Sequence, residues 1–93
     1  MRKYEMLYIL STTLTDEEKD AIVAKFENVV RTNGGNVEKV DKWGVKKLAY
    51  PINYKTEGYY VLMAFESDVN LVAELKRVAG ITDGILRRLI TKA

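Results

Sequence analysis

The sequence predicts an α+β domain of element order β-α-β-β-α-β, with a four-stranded antiparallel sheet and two helices on one face. Four segments have the apolar or alternating character of strands, and two others carry apolar residues at helical spacing. Gly, Asn and Asp residues lie at the junctions between these segments, where turns are expected. The 93 residues contain no repeat or linker, so we assign residues 1–93 to one domain.

The first strand is predicted over residues 3–10, KYEMLYIL, which form a compact apolar run. The helix that follows begins after Thr15, because Glu18 stands three residues later and completes a capping box. Its apolar stripe consists of Ile22, Phe26, Val29 and Val30. The helix is predicted to end at residues 33–35, Asn-Gly-Gly, where glycine can adopt the left-handed conformation.

The second strand is predicted over residues 36–52, and its latter part, residues 43–52, has the sequence WGVKKLAYPI. Pro51 has no N–H to donate to a neighbouring strand, so this strand is placed at an edge of the sheet. Gly44 permits a bend or bulge beside Trp43. A turn over residues 53–58 is predicted to lead into the third strand.

The third strand is predicted over residues 59–66, YYVLMAFE, and the fourth over residues 85–92, ILRRLITK. Between them lies a helix whose N-cap is Ser67, Asp68 or Asn70. Its apolar stripe consists of Leu71, Leu75 and Val78. Gly80 is predicted to close this helix.

This element order is the split βαβ pattern of ferredoxin-like folds. Right-handed crossovers then give the strand order 4-1-3-2, with both helices on one face of the sheet. The first and third strands are the most apolar, as central strands should be.

Alternation along the strands predicts which side chains face the helices. These inward residues are Met6, Tyr8 and Leu10 in the first strand and Val61, Met63 and Phe65 in the third. The outward residues are Glu5, Leu7 and Ile9, and Tyr60, Leu62 and Ala64. For the fourth strand two phases stay open, one placing Arg87 outward and the other Arg88. The apolar outward residues either bind a protein partner or merely cover one another.

The composition argues against an enzyme. The chain has no His and no Cys, which removes the side chain best suited to proton transfer near pH 7 and excludes thiolate chemistry. We therefore predict no catalytic residues, no metal site and no cofactor. The acidic residues that follow Thr15 are assigned to helix capping. No run is long enough to span a membrane, and no targeting peptide is predicted.

The sequence lacks three motifs that use this topology or bind phosphate. An RNA-recognition motif would require a basic residue where Glu57 stands, and stacking aromatics where Leu62 and Ala64 face outward. No Gly-rich loop precedes a Lys-Ser or Lys-Thr pair, so there is no P-loop. The loop at residues 11–14 lacks the Gly and Arg of an acylphosphatase phosphate loop.

Basic residues in and beside the strands are candidates for contact with RNA phosphates. They are Arg2, Lys3, Lys46, Lys47, Arg87, Arg88 and Lys92. Tyr4 and Tyr50 could stack or donate hydrogen bonds beside them. The alternative for the lysines is that they are solvated edge charges that discourage strand aggregation.

The motifs together resemble those of a known family. Trp43-Gly44 followed by LAYPIN over residues 48–53 resembles the signature of the bacterial small-subunit ribosomal protein number six family. Residues 2–5, RKYE, residues 58–62, GYYVL, and residues 85–87, ILR, agree with the same family. The resemblance covers the whole chain.

The resemblance implies a cytoplasmic, non-enzymatic component of the small ribosomal subunit. It implies binding to the central domain of small-subunit ribosomal RNA, as a heterodimer with ribosomal protein number eighteen. Arg2, Tyr4 and Arg87 match family positions associated with RNA, whereas Arg88 matches no fixed residue type. The candidate protein-partner residues are Leu7, Ile9, Trp43, Leu48, Tyr60 and Leu62. The alternative is a small ligand-binding or regulatory domain that dimerises through its open sheet face.

Overall fold

The computed structural model describes residues 2–52 and 55–93. Its elements are β1 (Arg2–Leu10), α1 (Asp16–Thr32), β2 (Asn36–Ile52), β3 (Lys55–Ser67), α2 (Val69–Gly80) and β4 (Ile85–Lys92). The predicted order β-α-β-β-α-β is therefore confirmed.

The strands form one antiparallel sheet in the order β2-β3-β1-β4. This is the predicted order 4-1-3-2, read from the other edge. The central strands pair along their length, from Arg2 opposite Ser67 to Leu10 opposite Tyr59. Pro51 lies on the edge strand β2, where its missing N–H removes no bond to a further strand.

The hydrophobic core lies between the two helices and one face of the sheet. In β1 and β3, residues buried in this core alternate with less buried neighbours on the other face, as the pleat of a strand requires. The sheet contributes Tyr4, Met6, Tyr8, Leu10, Val61, Met63 and Phe65, and the helices contribute Ile22, Val23, Phe26, Val30, Leu71, Leu75, Val78 and Ala79. The predicted inward and outward phases of β1 and β3 are confirmed.

The helix ends follow the capping residues. In α1 the Thr15 hydroxyl accepts from the backbone N–H of Glu18 at 3.1 Å, and the Glu18 carboxylate accepts from the N–H of Thr15 at 3.0 Å. In α2 the carboxylate of Asp68 accepts from the N–H groups two and three residues later, at 3.0 and 3.2 Å. Asp68 is therefore the N-cap among the three predicted. Gly34, with φ of 82°, follows the end of α1.

The strand β3 begins earlier than predicted. The turn expected over residues 53–58 is wrong from Lys55 onward, because β3 starts there and pairs with β2, with Gly58 opposite Lys46. Hydrogen bonds to β2 stabilise this segment as strand although Lys55, Glu57 and Gly58 have low intrinsic β propensity. The start of the predicted turn, at residues 53 and 54, lies outside the described residues.

Tyr8 is the one described residue with a buried side-chain polar atom that lacks a hydrogen-bond partner in the protein. Its ring packs edge-on against Phe26, with centroids 4.9 Å apart. Burial raises the pKa of the Tyr8 phenol well above its ordinary value of 10.0, and the charges of Glu27 and Tyr59 raise it further. The folded state therefore strongly disfavours the phenolate.

We expect Tyr8 to make the fold sensitive to alkali. Its phenol titrates near pH 10 in the unfolded chain and higher in the folded protein, so stability is full below about pH 10 and falls as the pH rises above it. Tyr8→Phe should flatten this decline, and at neutral pH it should be as stable as the wild type or more so, because no hydrogen bond is lost. Thermal unfolding of both proteins between about pH 8 and 11 checks this. Parallel pH curves would contradict it.

Candidate functional site on the open sheet face

The sheet face opposite the helices, called here the open face, carries a row of apolar side chains across three strands. Leu7 in β1 lies opposite Leu62 in β3 and Leu89 in β4. Residues opposite one another in an antiparallel pair share a face, so these three side chains are neighbours. Leu89 is 53% exposed. A shallow depression of about 200 Å³ on this face is lined by Leu7, Ile9, Tyr60, Arg87 and Leu89.

The register of β4 decides which arginine lies on the open face. Arg87 pairs with Ile9 and therefore points to the open face with it. Arg88 pairs with Tyr8, whose side chain is in the core, and therefore lies on the helix side. Of the two phases that the sequence left open, the structure has the one that places Arg87 outward.

The last part of β2 bends towards the open face. From Lys47 to Ile52, β2 advances five residues while β3 advances only two, from Glu57 to Lys55. These surplus residues permit a contact between opposite edges of the sheet. The β2 and β4 strands are about 14 Å apart by strand spacing, yet Arg87 donates to the Tyr50 hydroxyl. The guanidinium carbon also lies 5.7 Å from the centroid of the Tyr50 ring.

Ile9 and Leu48 lie near this bend, but both are buried, with 6% and 7% exposure. The expectation that Ile9 is displayed on the open face is therefore wrong, and Leu48 is likewise buried. Gly58 explains the burial of Ile9. A Cβ on Gly58 would lie 2.2 Å from Ile9 Cγ2 and 3.4 Å from Leu48 Cδ2. Ile9 occupies space that exists only because residue 58 has no side chain, whereas Leu48 lies at ordinary van der Waals distance from the same position.

An aromatic pair and a lysine lie beside the apolar row. The register shifts between Lys42 and Gly44, which leaves Trp43 as the extra residue of a bulge. Gly44 has φ of 86°, a conformation that favours glycine. The Trp43 ring stacks on Tyr60, with centroids 6.4 Å apart, and the ammonium of Lys46 lies 5.0 Å from the Trp43 ring centroid. The bulge predicted at Gly44 is confirmed.

Tyr4 does not reach the surface. It is 5% exposed, belongs to the core and packs on Phe65, with ring centroids 5.7 Å apart and planes at 26°. The prediction that Tyr4 is accessible for RNA binding is therefore contradicted. The reason is its phase, because Tyr4 lies two residues before Met6 and therefore points to the same face as the inward residues of β1.

Apart from Arg88 on the helix side of β4, the predicted basic residues and Tyr50 form two groups along the sheet. Lys46, Tyr50 and Arg87 lie at the end of the sheet where Ile9 lies, and Lys47 is next to them in β2, on the opposite face from Lys46. A second group, which contains Arg2, Lys3 and Lys92, lies at the other end of β1. Seven residues of extended β1 separate the groups by about 23 Å.

The basic side chains also differ in their partners. Ion pairs with carboxylates are made by Lys3, Lys19, Arg31, Lys39, Lys42 and Arg77. Within residues 2–52 and 55–93, no carboxylate pairs with Arg2, Lys46, Lys47, Arg87, Arg88 or Lys92. Apart from Lys3, whose ammonium lies 3.6 Å from Glu38, the predicted RNA-binding cations are therefore not neutralised by neighbouring carboxylates. Their positive charge is available to an anionic partner.

Among the described residues, no cluster of three or more His, Cys, Asp or Glu side chains is placed to hold a metal ion. None of the described helices is long and apolar enough to cross a membrane.

Comparison with known proteins identifies the family. A family model for ribosomal protein S6 matches residues 3–92. The chain belongs to the ribosomal protein S6 family. The small ribosomal subunit protein bS6 of Thermoanaerobacter pseudethanolicus is 51% identical over 92 residues, which cover 99% of this chain and 97% of that protein. The bS6 protein of Clostridium novyi is 49% identical over 90 residues, covering 97% of this chain and 95% of its own length.

The fold also matches a solved member of the S6 family. The crystal structure of 30S ribosomal protein S6 from Thermotoga maritima aligns with a TM-score of 0.94 at 27% sequence identity, covering 99% of this chain and 87% of that one. The S6 family consists of structural proteins of the ribosome and is not a family of enzymes. The resemblance and the ferredoxin-like fold predicted from the sequence are both confirmed.

Leu89 is one residue of the S6 open face that sequence reasoning missed. It is exposed, lines the shallow depression and lies opposite Leu7. The sequence left the phase of β4 undecided, so Leu89 could not be assigned to either face. The signal that identifies it is the pairing register with β1.

Proposed function

We propose that this S6-family protein is a structural subunit that binds the central domain of small-subunit ribosomal RNA together with ribosomal protein number eighteen. One observation carries the proposal. The open face joins an exposed apolar row to a cluster of cations and aromatic rings, with Arg87 lining the same depression as Leu89. An apolar surface suits a protein partner and unpaired cations suit phosphates, so one face can serve both.

The apolar row is assigned to the protein partner. Leu7, Tyr60, Leu62 and Leu89 form the centre of the open face, and each is half-buried or exposed in the isolated chain. When a partner covers them, the complex is stabilised by about 25 cal/mol for each Å² of apolar surface removed from water. Trp43, at 44% exposure, lies beside the row on Tyr60, and aromatic residues of this kind often dominate binding energy.

The cation cluster is assigned to RNA. Lys46 and Arg87 lie over aromatic rings that restrict their motion, so less side-chain entropy is lost when they bind. Their contacts with phosphates would position the RNA without reading its sequence. The remaining candidates, Arg2, Lys47 and Lys92, are exposed and can contribute further phosphate contacts.

A small-molecule site on the open face has less support. The depression of about 200 Å³ is smaller than the roughly 300 Å³ at which ligand pockets begin. Binding of a small ligand there would also leave most of the apolar row exposed.

Affinity for a transcript of the central domain of small-subunit ribosomal RNA, measured with and without purified ribosomal protein number eighteen, tests the proposal. We expect tighter binding when the partner is present, and an affinity that falls linearly with salt on logarithmic axes. Binding that depends on neither salt nor partner would contradict it. A stable homodimer without RNA affinity would instead support the alternative of a regulatory or ligand-binding dimer.

A further inference from the structure

A second basic site lies along the edge strand β4, where its helix side meets the rim of the open face at Leu89. It is a groove of about 400 Å³ lined by Lys76, Arg88, Leu89 and Ile90. Lys76 belongs to α2, and Arg88 points to the helix side because it pairs with Tyr8. The groove therefore runs between α2 and the free edge of the sheet, where the backbone of β4 has no further strand beside it.

The two cations of this groove have no described carboxylate partner. The β4 sequence ILRRLITK contains no acidic residue. In α2 the acidic residue is Glu74, and it is engaged by Arg77 through two hydrogen bonds. The charge of Lys76 and Arg88 is therefore unopposed, while that of the adjacent Arg77 is neutralised.

Arg88 lies near the end of α2. Its Nη2 atom lies 3.9 Å from where a Cβ of Gly80 would be. The C-terminal end of a helix carries partial negative charge, which favours a guanidinium there. Lys76 lies four residues before Gly80 on the same helix, so the two cations lie about one helical turn apart along α2. The outer edge of β4, which pairs with no described strand, presents unpaired backbone N–H and C=O groups.

We propose that this groove binds a phosphodiester segment of RNA, so that the edge strand β4 contacts RNA from both faces. Arg87 contacts phosphates on the open face, and Lys76 with Arg88 contacts phosphates on the helix side. Unopposed cations beside free backbone donors match the chemistry of phosphate oxygens. The inference rests on the proposed RNA-binding function and adds a second contact surface to it.

Substitutions that remove the charge but leave a polar side chain test the groove. Lys76→Gln and Arg88→Gln are compared with Arg77→Gln, which removes the same charge from the neighbouring position where Glu74 already neutralises it. Affinity for the central-domain transcript, with ribosomal protein number eighteen present, is measured between about 50 and 200 mM salt. Thermal unfolding of each variant shows that it is folded.

The slope of log affinity against log salt is negative, and each lost phosphate contact should make it less steep by about one. The wild type should then lose about threefold more affinity than either groove variant across that salt range. The double variant should show twice the change in slope, and Arg77→Gln should keep the slope of the wild type. Slopes for Lys76→Gln and Arg88→Gln that equal the Arg77→Gln slope would overturn the groove proposal.

Different outcomes contradict the groove proposal and the proposed RNA-binding function. If Arg87→Ala weakens RNA binding while both groove variants behave as Arg77→Gln, the groove proposal is wrong and the proposed function stands. If the wild type shows no salt-dependent RNA affinity, both are wrong. If the groove variants weaken binding to the protein partner in the absence of RNA, the groove binds an acidic protein segment and not RNA.

Discussion

Replacing Gly58 with alanine is expected to lower the free energy of unfolding by about 1–3 kcal/mol. The new Cβ would lie 2.2 Å from Ile9 Cγ2, a separation that requires one strand to move. Ile9 cannot turn aside easily, because it is β-branched, lies on a central strand and is buried. Chemical denaturation of the purified protein gives the measurement.

Two further variants distinguish this clash from a general effect of alanine. Gly80→Ala is the matched control, because its Cβ would meet no atom closer than 3.9 Å, and it should be neutral or stabilising by up to about 1 kcal/mol. Ile9→Ala should destabilise the wild type by about 2–5 kcal/mol but relieve the clash in the Gly58→Ala background. Additive effects of Ile9→Ala and Gly58→Ala would show that the two residues do not compete for one space.

Replacing Arg87 with alanine is expected to weaken binding to the central-domain transcript by about tenfold or more. A charge-assisted hydrogen bond contributes about 1.5–3 kcal/mol, and 1.4 kcal/mol is a factor of ten. Arg87 combines an unopposed charge, a position on the open face and a hydrogen bond to Tyr50 that restricts it. Titration of the transcript with the variant, in the presence of ribosomal protein number eighteen, measures the loss.

Lys25→Ala is the control for Arg87→Ala. It removes one positive charge from α1, where the ammonium donates to Thr82 at 3.0 Å, on the helix side of the molecule. Its effect on RNA binding should be small. The loss of RNA affinity in Tyr50→Phe should lie between those of Arg87→Ala and Lys25→Ala, because this variant lacks the hydroxyl that accepts from Arg87 but keeps the ring. Equal losses for Arg87→Ala and Lys25→Ala would argue against the open face as the RNA-binding surface.

Much of the fold is predictable because its signals are local. The capping box of Thr15 and Glu18 places the start of α1, and the glycines after Asn33 place its end. Alternation in β1 and β3 assigns the core face, since both strands are strongly apolar on one side. Pro51 indicates an edge strand through its missing donor. Each of these features depends on residues a few positions apart.

The open face was only partly predictable because it depends on register. The residues of β4 form two alternating sets, and each set contains one arginine together with apolar residues. The hydrophobic pattern therefore does not show which set faces the helices. Pairing of Arg87 with Ile9 selects the phase. The contact of Tyr50 with Arg87 joins residues 37 positions apart and requires the surplus residues of β2. Composition alone does not reveal such a contact.

The amino-acid sequence by itself determined the family, the order of elements and the absence of His and Cys chemistry, because these follow from residue types and short spacings. The tertiary structure decided which side chains are accessible. It placed Tyr4 in the core, buried Ile9 against Gly58, and put Arg87 and Arg88 on opposite sides of β4. The physical reason is that accessibility depends on strand register and close packing, which are set by contacts between residues distant in the chain.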